Sequence, residues 1–151
     1  MATGASQYIA PAMTHPTFFA ASLYVALGGG LGAWLRFVTG RLFVGWIGPI
    51  KASAFPWGTL TVNVIGSLAM GLLVGWLARH ATGSGVSSES ARLFLAVGLL
   101  GGFTTFSAFS LEIVNIAQRG QLSLAAFYAA MSIAAGVSGL IAGLAIMRAA
   151  G

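Results

Sequence analysis

Charge is what this sequence has least of. Two of its 151 residues are acidic and seven are Lys or Arg. That makes 6% charged, against roughly 25% in soluble domains. A water-facing surface cannot be built from so few charges, and 58% of the chain is hydrophobic, so the chain reads as an all-α integral membrane protein. Cysteine is absent, which excludes disulfides and thiolate metal sites. The basic residues are isolated, with no basic run and no aromatic-basic interleaving, which leaves nucleic-acid binding little support. Paired carboxylates and buried histidines are also lacking. His15 falls in the N-terminal tail and His80 at a span end, so an intramembrane enzyme has no credible constellation and the chain is read as a non-enzyme. Residues 1–20 contain no Lys or Arg and read as a flexible tail rather than a signal peptide. Residues 21–149 read as one transmembrane domain.

What is present in quantity is apolar sequence. A helix needs about 20 apolar residues to cross a bilayer core, and four segments qualify: 19–44, 57–79, 91–118 and 122–147. Glycine and proline punctuate the first connection, glycine and serine the second, and the third is the short "RGQ". Trp46, Trp57 and Trp76 sit near predicted span ends as interfacial anchors. Trp34 lies deeper and is expected to pack inside. With four spans, both termini and the second loop share a side. That side has Arg79, Arg92 and Arg148 near span ends, and the opposite side has Arg41, Lys51 and Arg119. A balanced count gives the insertion machinery little reason to prefer one orientation. A chain that inserts both ways would have this balance; so would a chain whose bias lies in a partner. The 22 glycines include small-xxx-small pairs such as Gly28/Gly32 and Gly139/Gly143, and the run Ser67, Gly71, Gly75, all suited to close helix packing in lipid.

Polar groups inside the spans are few. Arg36 in "GAWLRF" is read first as an anchor near a span end. Asn63, six residues into the second span, can make an interhelical hydrogen bond or line a pore. Glu112 is the one acid deep in a span, and could pair with Arg36 or serve a vestibule or a proton-linked step. The densest polar stretch is "GGFTTFSAF", residues 101–109. Gly101 and Gly102 each weaken a helix by about 1 kcal/mol relative to alanine, and threonine hydroxyls compete for backbone groups. A helix break at mid-membrane is therefore expected. Such a break is tolerated only when it is buried or lines a cavity, where freed carbonyls can hold a cation and freed N–H groups an anion. Beyond it, Phe106 and Phe109 share one face, and Ser107 and Ser110 an adjacent one. Hydroxyls, an amide and electropositive ring edges suit a small anion, whose removal from water costs on the order of tens of kcal/mol unless donors replace its shell. They also suit a mildly polar solute.

"GGGLGAWLRF", "FPWGTLTVNVIGS" and "GLLGGFTTFSAFSLE" occur in that order in the first three spans. Together they resemble the Fluc, or CrcB, family of fluoride channels, over about residues 22–148. The resemblance implies an antiparallel, dual-topology homodimer of four-helix subunits in the cell inner membrane, with two fluoride pores at the interface. It also implies that fluoride leaves passively, relieving toxicity where a weak acid accumulates inside the cell. Asn63 would be the vestibule asparagine. Phe106 and Phe109 would form the aromatic box. The carbonyls of Gly101 and Thr104 would hold a structural sodium ion. Arg36 and Glu112 match positions near the pore, and Tyr128 and Ser132 match the fourth-span polar track. Two departures stand out: Ala108 replaces a usual Thr or Ser, and Gly136 replaces a common serine. The track is then shorter, or finished by Ser107, Ser110 and Ser132. The rival reading, a small multidrug-type transporter, needs a first-span carboxylate that is missing here. A scaffold subunit would explain the glycines but not the hydroxyl-rich third span.

Overall fold

The computed structural model describes residues 16–80 and 86–150. Residues 1–15, with most of the expected tail and His15, lie outside the described residues, as does the His80 side chain. Four helices are long and apolar enough to cross a membrane: Phe18–Ile47, Trp57–Arg79, Glu89–Gln118 and Leu122–Ala149. Each expected span has its counterpart. In order, the elements are α1 (Phe18–Ile47), α2 (Pro49–Ala54), α3 (Trp57–His80), α4 (Val86–Ala91), a π-helical stretch (Arg92–Leu100), α5 (Gly101–Phe103), α6 (Phe106–Gln118) and α7 (Leu122–Ala149). The Thr17 hydroxyl caps α1 by accepting from the Ala20 N–H at 3.3 Å. Gly48 at φ 82° separates α1 from the short α2, and Gly120 at φ 78° turns the chain from α6 into α7. α2 lies in what the sequence presents as a loop; proline at its first position pre-sets the helical φ.

Lipid offers helices no hydrophobic reason to associate, so close backbone approach has to hold them together. Two seams do this. α1 packs on the π-helical stretch and α5, and α3 packs on α7. In the first seam, a Cβ on Gly28 or Gly32 would run into the Phe94 or Leu99 carbonyl, and one on Gly102 into the Gly29 carbonyl. In the second, Gly71 meets the Leu140 carbonyl and Gly143 the Leu68 carbonyl. The small-residue pairs legible in the sequence are the contact points. The wider π turn keeps Phe94, Gly98–Leu99 and Gly102–Phe103 all against α1.

Two expectations are corrected. Trp34 does not pack inside: it is 57% exposed on the outer surface of the chain, where an indole faces what would be lipid or a neighbouring protein. Gly101 and Gly102 do not interrupt the helix. Gly101 has helical dihedrals (φ −63°, ψ −38°), and the glycines serve the close approach to α1. The extended residues come later, at Thr104 (φ −81°, ψ 159°) and Thr105 (φ −151°, ψ 127°).

Candidate functional site

The local rearrangement at Thr104 and Thr105 begins on a neighbouring helix. In a continuous α-helix the Thr105 N–H would close onto the Gly101 carbonyl. Here it donates to Asn63 Oδ1 at 2.8 Å, and Asn63 Nδ2 donates back to the Thr105 carbonyl at 3.0 Å. One amide side chain of α3 thus satisfies both backbone groups of one extended residue. The Ala108 N–H would close onto the Thr104 carbonyl. It donates instead to the Thr105 hydroxyl at 3.2 Å, an N-cap that starts α6. The carbonyls of Gly101 and Thr104 have therefore lost their helical donors. The Thr104 hydroxyl donates to the Leu100 carbonyl at 2.9 Å.

Beside this point lies a cavity of about 280 Å³, lined by Asn63, Ser67, Thr104, Phe106, Phe109 and Ser132, with Thr105 and Ile133 at its edges. None of these side chains is charged. Asn63 uses one amide proton on Thr105 and keeps a second. The Ser132 Oγ is buried without a hydrogen-bond partner among the described residues. The Phe106 and Phe109 rings are 5.8 Å apart and tilted by 48°. Phe109 is buried and rests on Tyr128 at 5.4 Å, whereas Phe106 is 79% exposed.

A second cavity, of about 640 Å³, opens where α1, α2, α3 and α6 converge. Arg36, Arg119 and Glu112 line it together with Thr59 and Asn115. Arg119 Nη1 donates to the Ser53 carbonyl at 3.0 Å and so ties the end of α6 to α2. No ion pair joins Arg36 to Glu112. Both carboxylate oxygens are engaged elsewhere: Thr59 Oγ1 donates to Oε1 at 2.6 Å and the Tyr128 hydroxyl donates to Oε2 at 2.7 Å. Tyr128, fully buried, is held edge-on by Phe55 at 5.4 Å. A column of Glu112, Tyr128 and Phe109 therefore runs from the charged cavity to the uncharged one.

The fold gathers Asn63, Thr104, Phe106, Phe109 and Ser132 around the small cavity, and Arg36 and Glu112 around the large one. Ser107, Ser110 and Gly101 line neither. Ser107 lies 3.2 Å from the Thr105 hydroxyl, and the Ser110 hydroxyl donates to the Phe106 carbonyl at 2.9 Å. Among the polar residues of the two cavities, Thr59, Thr105 and Asn115 escaped the sequence reading, and Ser67 entered it only as a packing residue. A signal was available for Thr59, Ser67 and Thr105. Thr59, Asn63 and Ser67 are spaced by four and make one polar stripe along an otherwise apolar helix. Thr105, three residues before Ala108 at the start of an apolar periodic run, has the position of an N-cap.

The family model for the CrcB-like protein, Camphor Resistance (CrcB), matches residues 23–144. Among curated relatives, the fluoride-specific ion channel FluC of Novosphingobium aromaticivorans is 59% identical over 85% of this chain and 96% of its own length. The protein of the same name from Hyphomonas neptunium is 52% identical over 83% of this chain and 94% of its own. That from Erythrobacter litoralis is 47% identical over 89% and 96%.

Proposed function

The chain belongs to the CrcB family, and on that premise we propose that this multi-pass membrane protein is a fluoride-selective channel that lets fluoride leave the cell passively. The observation that carries the reading is the small cavity: hydrogen-bond donors and two tilted phenylalanines beside diverted backbone, with no charged side chain. A full positive charge would hold a small anion tightly. Conduction needs sites that replace the hydration shell yet let the ion leave. The free Asn63 proton, the serine hydroxyls and the phenylalanine ring edges meet both requirements.

In the proposed path fluoride enters the large cavity, drawn by Arg36 and Arg119. It then passes the Glu112–Tyr128 pair and sheds water beside Phe109, Phe106 and Asn63. The third span is read as broken at mid-membrane depth, so Thr104 and Thr105 would lie where the bilayer is driest. The finished channel is read as an antiparallel homodimer inserted with dual topology in the cell inner membrane. The exposed face bearing Phe106, Ser107 and Gly101 would meet the second subunit, and Trp34, Phe18 and Phe127 would meet lipid or protein. Ser107 and Ser110 would join the track across that interface.

A structural sodium ion fits the donor set. The carbonyls of Gly101 and Thr104 are among those left without helical N–H donors at this point, and oxygen ligands suit a hard cation. Bound there, sodium would offset the repulsion between converging carbonyls. The multidrug-type alternative gains no support, because both oxygens of the one candidate carboxylate are occupied.

The reading is tested by expressing the gene in a bacterium that lacks its own fluoride exporter. Growth restored in fluoride-containing medium is the expected result. Undiminished sensitivity with the protein present in the membrane would remove it.

A further inference from the structure

We propose that Ser67, on α3, is an ion-contacting residue of the path, supplying the hydroxyl that α7 lacks at Gly136. This deepens the fluoride-channel reading and rests on it. Ser67 lines the small cavity alongside Asn63 and Ser132. Asn63 and Ser67 are one helical turn apart on α3, so both face the cavity from one side. A serine inside a helix ordinarily returns its proton to the carbonyl four residues earlier. The Ser22, Thr39, Thr104 and Ser110 hydroxyls all do so at 2.7–2.9 Å, whereas Ser67 has no such bond among the described residues. Its proton is available to whatever occupies the cavity.

The neighbouring helix leaves the hydroxyl room. Gly136 faces it from α7, and a Cβ built there would lie 3.6 Å from Ser67 Oγ, an ordinary contact distance. A side chain on Gly136 would therefore project into the space that Ser67 Oγ borders. Ser132 stands one turn earlier on α7, buried, with its Oγ unpartnered. An unpartnered buried hydroxyl is costly without a ligand or water to meet it. The Ser67 and Ser132 hydroxyls line the same uncharged cavity and together can replace part of an anion's shell. Ser107 and Ser110 do not reach this cavity within the subunit, and Ser110 has spent its proton on the backbone.

The test is a transplant. Initial fluoride efflux from liposomes is compared for wild type, Ser67→Ala, Gly136→Ser and Ser67→Ala/Gly136→Ser, each checked for its folded oligomer by gel filtration. Loss of one hydrogen bond to a charged group predicts about ten-fold slower efflux for Ser67→Ala. The double variant, which returns a hydroxyl beside the position of Ser67 Oγ, is expected within about three-fold of wild type, a recovery that a packing role for Ser67 would not produce. Wild-type rates in Ser67→Ala would overturn the assignment, and so would a double variant no faster than the single one. Absence of fluoride efflux from the wild type would instead bring down the channel reading itself, and this assignment with it.

Discussion

The two cavities differ more in their chemistry than in their size. The larger is lined by two guanidinium groups and a carboxylate, the smaller only by an amide, hydroxyls and phenylalanines. Charge acts over a distance and can gather anions from solution, but in a narrow dry passage it would hold them. Uncharged donors act only at contact, where dehydration has to be offset. The charged groups stand where α1, α2, α3 and α6 converge, while the uncharged donors stand beside the diverted backbone. On the proposed path, gathering and dehydrating anions would fall to different places, with Tyr128 and Phe109 between them.

The sharpest way to break that division is to place a charge in the uncharged cavity. Asn63→Asp still accepts from the Thr105 N–H but sets a carboxylate against the path. Two like charges 4 Å apart cost about 4 kcal/mol at an effective dielectric near 20, so efflux falls at least about a hundred-fold. Liposome efflux measures this, and near-normal flux would show that the path avoids Asn63. Asn63→Ala leaves the Thr105 N–H and carbonyl unmet and is expected to lose about 2–3 kcal/mol of stability, read from heat-induced loss of the folded oligomer in detergent.

Removing the aromatic edges comes next. Phe109→Ile and Phe106→Ile each slow efflux about ten-fold or more, as ring edges and packing are lost together. The effect is larger at Phe109, which also seats Tyr128. If both variants form folded oligomers and conduct at wild-type rates, the aromatic assignment fails.

Much of this was legible beforehand because membrane helices announce themselves by composition. The four spans, the small-residue seams and the polar stretch from Gly101 to Phe109 all follow from counting and spacing. That the extended residues would be Thr104 and Thr105 was not legible. Glycine propensity points to Gly101 and Gly102, but tertiary packing overrides it. The glycines stay helical so that α1 can approach, and the bond that frees the backbone comes from Asn63, 42 residues away in sequence. Likewise Trp34 reads as internal by depth alone, whereas which face it lies on decides its exposure. The partners of Glu112 were hidden for the same reason. Thr59 and Tyr128 reach it from two other helices, and charge matching pointed only to Arg36.

Smaller effects sharpen the boundary between the cavities. Tyr128→Phe strips one donor from Glu112 and costs about 1–3 kcal/mol. A detergent melting curve unchanged by the substitution would show that the pair does not hold the column together. Arg119→Gln removes charge from the large cavity only. Efflux drops about two-fold at about 10 mM ionic strength, and the difference vanishes near 1 M, where the screening length has shrunk from about 30 Å to about 3 Å. A deficit independent of salt would place the role of Arg119 in its bond to Ser53 instead.

The most direct test of the whole account is ion efflux from liposomes carrying the purified protein, with fluoride and chloride electrodes read in parallel. Rapid fluoride loss with chloride retained is the predicted result, because a narrow path whose donors bind at contact favours the smaller ion. Equal loss of both ions, or retention of fluoride by a well-folded oligomer, would contradict it.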